Sequence, residues 1–145
     1  MGLGTGLLLA FAVTPASGSC AGPTVAFADQ AERNVITVHP GDTVSLTGEF
    51  WTSDCFDTGP TGACERGPGD ERPITGIAVD LLQGQKPVVR VAEDVDAKPD
   101  LTLSVSFQVP DLSPGGYRIS VRGGGIEAPV YPELWLKVRE TPAPT

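Results

Sequence analysis

Histidine, methionine and basic side chains are scarce in this chain: one histidine (His39), one methionine (Met1), and 10 Lys and Arg against 18 Asp and Glu. A lone histidine beside a turn proline reads as a surface residue rather than a general base, and a single methionine rules out a methionine-rich copper site. The net charge of -8 disfavours nucleic acid or an anionic membrane surface as partner, since both reward Lys and Arg. No GxSxG elbow, HExxH helix or phosphate-cradling glycine loop occurs. The Gly123–Gly125 run follows a strand-like segment without opening a helix and reads as a flexible connection. The sequence therefore names no nucleophile and base pair, no cofactor and no catalytic residue, and the chain is expected not to be an enzyme.

Long apolar runs are missing too. The stretch Gly2–Val13 is apolar but shorter than the roughly 20 residues a membrane span needs, so it reads as the core of a signal peptide over residues 1–19. No Lys or Arg precedes it, which leads us to expect a basic segment upstream of Met1. The small-residue stretch Ser17, Gly18, Ser19 then meets Cys20. This junction resembles a bacterial lipoprotein signal, in which the cysteine becomes lipidated, although the leucine of that pattern is absent. The resemblance implies export and an anchor on the outer face of the cell membrane. Ordinary cleavage and secretion is the alternative.

Cysteines number three, an odd count for an exported chain. Lipidation of Cys20 would leave Cys55 and Cys64 as a pair. Both lie in a Gly-, Pro- and Asp-rich loop of about 20 residues between Trp51 and Ile74, longer than most structureless connections. A bridge would close that loop into a small ring and contribute about 2–3 kcal/mol, chiefly by constraining the unfolded chain. Metal ligation is the weaker reading, because zinc wants four closely spaced ligands.

What the chain has in abundance is 18 glycines, 14 prolines and short segments with a period of two. In Leu101–Val109, Leu101, Leu103, Val105, Phe107 and Val109 share one face, and Thr102, Ser104, Ser106 and Gln108 the other. Thr43–Gly48, Ile77–Leu81 and Leu134–Val138 repeat the alternation, the last with Trp135 outward. Seven to eight short antiparallel strands are expected, packed as an all-β sandwich over residues 34–140. Residues 20–33 serve as a tether with a first short strand, and 141–145 as a tail. The segment Leu112–Val121, a Pro-Gly turn leading to a tyrosine, resembles immunoglobulin-like and fibronectin type III domains. With "VHPGDTVSLTGEFW" it also looks like bacterial surface modules of the IPT/TIG type. The resemblance implies an immunoglobulin-like fold and makes Tyr117 the corner tyrosine, its hydroxyl returning to upstream backbone.

On these grounds the expected function is a non-catalytic envelope lipoprotein presenting loops to a protein or a glycan. A patch of Trp51, Phe56 and Tyr131, rimmed by Asp54, Asp57 and Glu127, is the candidate binding surface. The same aromatics could instead cap the open end of the core. A calcium-dependent module or small enzyme using acidic loop residues, and a structural spacer, are the other readings. Asp94, Asp96 and Asp100 lack the spacing and glycine of an EF-hand loop, which favours a solvated acidic hairpin. Non-reducing peptide mapping of the exported protein should recover Cys55 and Cys64 as one crosslinked peptide. Two free thiols would overturn the clasp.

Overall fold

The computed structural model describes residues 22–52, 72–124 and 132–142. These residues form eight strands and no helix: β1 (Ala26–Phe27), β2 (Val35–Val38), β3 (Thr43–Gly48), β4 (Ile77–Gln83), β5 (Lys86–Val95), β6 (Leu103–Gln108), β7 (Gly115–Arg122) and β8 (Leu134–Val138). A three-stranded sheet has the order β1-β3-β6, and a five-stranded sheet the order β2-β8-β7-β4-β5. The period-two segments become strands because alternate side chains point to opposite faces, so one face can be buried whole. β6 alternates without interruption, with Leu103, Val105 and Phe107 buried and Ser104, Ser106 and Gln108 exposed. Leu46, Val79, Leu81, Leu134 and Leu136 meet these side chains in one core between the sheets. The all-β sandwich expected from the alternation is the fold observed.

The structure also departs from the expectation in places. Not every pair is antiparallel: β2 runs parallel to β8, with Val35 opposite Trp135 and Val38 opposite Val138. The cause is a split first strand. After Phe27 the chain turns, with Gln30 N–H donating to the Phe27 carbonyl, and crosses to the other sheet. There its second half lies beside the last strand, which happens to run the same way. Before residue 34, Ala26–Phe27 form β1, and Val25 and Phe27 sit in the core. Leu101 does not continue the inward row of β6. It stands in a turn with φ of 69° and is partly exposed.

One end of the sandwich is organised around Trp51, which is 0% exposed. Its indole Nε1–H donates to the Thr24 carbonyl at 2.9 Å. A buried indole needs such a partner, since an unpaired N–H in an apolar setting is costly. Gly48 makes the approach feasible, because a Cβ there would collide with both the Thr24 carbonyl and the Trp51 Nε1. Backbone bonds extend from this point across both sheets. Trp51 N–H donates to the Leu101 carbonyl, Ile74 N–H to that of Trp51, and Ala97 N–H to that of Ile74. Gly123 and Gly124 close the same end. A Cβ on Gly123 would strike Ile77, and one on Gly124 would strike Ile74. These two glycines are thus required by close packing rather than serving as a slack connection.

At the other end Tyr117, 2% exposed, donates its hydroxyl hydrogen to the Ser113 carbonyl at 2.7 Å, four residues upstream. The bond holds the loop before β7 against the sandwich. Gly48→Ala should destabilise the protein by about 1–3 kcal/mol through overpacking at the Thr24–Trp51 bond. Urea unfolding followed by Trp fluorescence measures this, and an unchanged midpoint would contradict the close-packed end.

Candidate functional site

The register of the five-stranded sheet lays out its outer face in rows. Val35, Trp135, Arg118 and Leu82 form one row across β2, β8, β7 and β4. Thr37, Lys137 and Gly116 form the next on one side, and Ser120, Asp80 and Arg90 the next on the other. This face is not the plain solvated surface that an alternating strand normally presents.

Asp80 is the one buried charged residue among those described, 4% exposed, and it points away from the apolar core. The Arg90 Nε donates to its Oδ1 at 2.9 Å, and the Arg122 Nη2 to its Oδ2 at 2.8 Å. The Arg90 bond, above all, holds the Asp80 carboxyl below the usual carboxylate range, with burial opposing and Arg122 assisting. Both arginines are about half exposed, so they keep their hydration while covering the carboxylate. The arrangement ties β4 to both of its neighbours. It offers no proton donor or nucleophile, since the carboxylate is ionised and its partners stay protonated.

Beside this network lies a shallow apolar groove of about 720 Å³, lined by Val35, Pro114, Gly115, Gly116 and the Trp135–Arg139 segment. Val35 is 52% exposed, and Trp135 is partly exposed. Gly116 lies under the Trp135 ring, where a Cβ would make ordinary van der Waals contact at 3.9 Å. Arg118 stands next to Trp135 in the row, its Nη1 donating to Glu133 Oε1 at 2.9 Å. The Nε of Arg118 is buried, with no hydrogen-bond partner among the described residues. Lys137 and Arg139 edge the groove. Five of the chain's 10 basic residues, Lys86, Arg90, Arg118, Arg122 and Lys137, lie on strands of this sheet, whereas β1, β3 and β6 carry no charge at all. The same strands carry Asp80, Glu93 and Asp94, and because Asp80 engages Arg90 and Arg122 while Glu133 engages Arg118, the local positive charge lies at Lys137 and Arg139 on the groove.

The residues singled out in the sequence fall as follows. Trp51 is wholly buried and offers no contact area to a partner, while Tyr117 makes the backbone bond described above. Asp54, Phe56, Asp57, Glu127 and Tyr131, with Cys20, Cys55 and Cys64, lie outside the described residues. The bases of the two loops that carry the aromatics do adjoin, through Thr52 bridging Pro73 and Gly124 packing on Ile74. Asp96 accepts from the Gly76 N–H, and Asp100 from the N–H and hydroxyl of Thr102, which keep the Asp100 carboxyl below its usual range. These carboxylates are thus engaged in shaping turns. Among the described residues no three His, Cys, Asp or Glu side chains converge as a metal site.

Sequence reasoning passed over Asp80, Arg90 and Arg122, and set Trp135 outward without giving it a role. The available signal was an aspartate in the apolar run "IAVDLL", with arginines in the two strands that flank it. Asp80→Asn should cost about 2 kcal/mol, the worth of a charge-assisted hydrogen-bond pair. Because the folded-state pKa of Asp80 is depressed, its contribution is present above the unfolded value near ~3.9 and is lost as pH falls through the lower folded value. Wild type should therefore lose more stability than Asp80→Asn on acidification below about pH 4, measured by urea unfolding; parallel losses would contradict the linkage. No protein-family model matches the chain, and no curated protein is significantly similar to it.

Proposed function

We propose that this chain is an exported, non-catalytic binding module, an immunoglobulin-like sandwich anchored at the cell envelope through Cys20, that takes a protein partner on the outer face of its five-stranded sheet. The observation that carries the reading is Trp135, set in an apolar groove with cationic edges on the face opposite the core. A tryptophan left partly open, beside Val35 and over a glycine floor, is the kind of anchor site that dominates protein recognition. Lys137 and Arg139 favour an acidic flank on that partner, both by steering and by disfavouring basic competitors. A glycan fits less well, because the lining offers few polar side chains to hydrogen-bond sugar hydroxyls.

The immunoglobulin-like reading draws support from strand order. A split first strand, a three-stranded sheet built on β3, and β7 and β8 beside β4 and β5 follow the arrangement of such domains, with Tyr117 at the corner position. Location at the envelope rests on the signal segment and Cys20, and acyl mass on Cys20 in the mature protein is its test.

The binding face is tested by affinity capture from envelope extracts. Trp135→Ala and Lys137→Glu should each reduce recovery of a specific partner at least tenfold with the melting temperature unchanged. Phe56→Ala and Tyr131→Ala should leave recovery intact. The opposite pattern, loss with the loop variants and retention with Trp135→Ala, would move recognition to the loop end and overturn the proposal.

A further inference from the structure

The two sheets of the sandwich end in four edge strands, and three of them are guarded against pairing with another chain. β1 is two residues long and β2 four. β5 carries Lys86, Pro87, Arg90, Glu93 and Asp94, with register shifts along its pairing to β4. Short length, charge, proline and bulges are the devices by which natural proteins blunt an edge. β6 has none of them. Its six residues, Leu103–Gln108, include no charge, proline or glycine, and they pair with β3 in unbroken register from Thr43↔Gln108 to Gly48↔Leu103.

The hydrogen bonds of β3 settle which β6 groups face outward. The Ser45 carbonyl accepts from Ala28 on the β1 side, so the backbone groups of Ser45 point away from β6. Ser45 and its opposite, Ser106, therefore form a non-hydrogen-bonded pair, consistent with their hydroxyls meeting at 2.7 Å. The N–H and C=O of Ser106 must then point away from β3, toward the open edge. Val109, three residues on, donates to the Asp42 carbonyl and accepts from Gly41, as the alternation requires. Ser104, Ser106 and Gln108 thus present their backbone groups outward, and among the described residues no hydrogen bond engages them. Their side chains are exposed as well.

We propose that this edge pairs with the same edge of a second copy of the chain, antiparallel and centred on Ser106, to join two three-stranded sheets into one continuous sheet. A twofold axis at Ser106 sets Ser106 against Ser106 of the partner subunit, and Ser104 against Gln108 of the partner subunit. Residues with outward backbone groups then meet residues with outward backbone groups, so each pair exchanges both N–H···O bonds. On the outer face the hydroxyl ladder of Thr43, Ser45, Thr47, Ser104 and Ser106 continues across the junction. The absence of charge on β1, β3 and β6 is what selects a second copy. In a chain of net charge -8 most self-contacts would set acidic side chains against each other, whereas this strip brings none together. What repulsion remains is long-range and screened by salt. Association through β6 should accordingly strengthen as salt is added, whereas a contact that sets the cationic groove of one copy against an acidic surface of another should weaken.

The test is amide exchange by NMR on the full chain, at low protein and at roughly 0.5 mM, a range suited to an interface of small area. The N–H groups of Ser104, Ser106 and Gln108 should exchange at least tenfold more slowly at the higher concentration, with a larger effect in added salt. Ser106→Pro removes an outward N–H without breaking the β3 ladder, and Ser104→Lys adds a guard charge. Both should stay monomeric by sedimentation while keeping the wild-type circular dichroism. Exchange rates that do not change with concentration would overturn the proposal. So would a dimer that survives Ser104→Lys, or one that salt dissociates.

Discussion

The hydrogen bond from the Trp51 indole to the Thr24 carbonyl is the contact on which the rest of this sandwich depends. It fixes the first strand to the third across a glycine that has no room for a side chain. From Trp51 the backbone then bonds in turn to Leu101 and Ile74, and through Ile74 to Ala97. Without that chain of bonds the three-stranded sheet would share only apolar contacts with β4 and β5 at this end. Apolar contact is strong but undirected, and it does not by itself fix how two sheets are set against each other. The backbone bond from the Ile74 N–H to the Trp51 carbonyl does, and it joins both ends of the long connection between Trp51 and Ile74.

A second constraint is how charge is divided. The three-stranded sheet turns a neutral array of hydroxyl and amide side chains to solvent, and the five-stranded sheet turns out arginines, lysines and a tryptophan. The buried Asp80 carboxylate organises the second of these faces by holding Arg90 and Arg122 down across β4. A sheet surface with its own buried carboxylate and a groove is better ordered than a freely solvated one. The side chains that would touch a partner start with fewer rotamers to lose.

Much of the fold was legible because strand alternation writes burial directly into the sequence. Leu103, Val105 and Phe107, and Leu134, Leu136 and Val138, face inward as the period of two requires. Tyr117 was legible from the Pro-Gly turn before it. The parallel pairing of β2 with β8 was not, since nothing local to Val35–Val38 reports which strand will lie beside it. Trp51 was open to two readings in the sequence, a surface patch and a core cap, for a related reason. It lies just past the end of β3, where alternation stops, and its burial follows from a carbonyl 27 residues away and from the space left by Gly48. The Asp80 network was hidden because its three members come from strands that become neighbours only in the folded sheet.

The chain's two tryptophans have opposite fates: Trp51 is spent on the core, and Trp135 lines the groove on the outer face. Iodide quenching of fluorescence separates them directly, with Trp135→Phe identifying the quenchable component. The isolated protein should have one accessible tryptophan, Trp135, and captured partner should abolish its quenching while leaving the Trp51 emission unchanged. A quenchable Trp51, or a Trp135 that stays fully quenchable with partner bound, would contradict the division on which the proposed binding face rests.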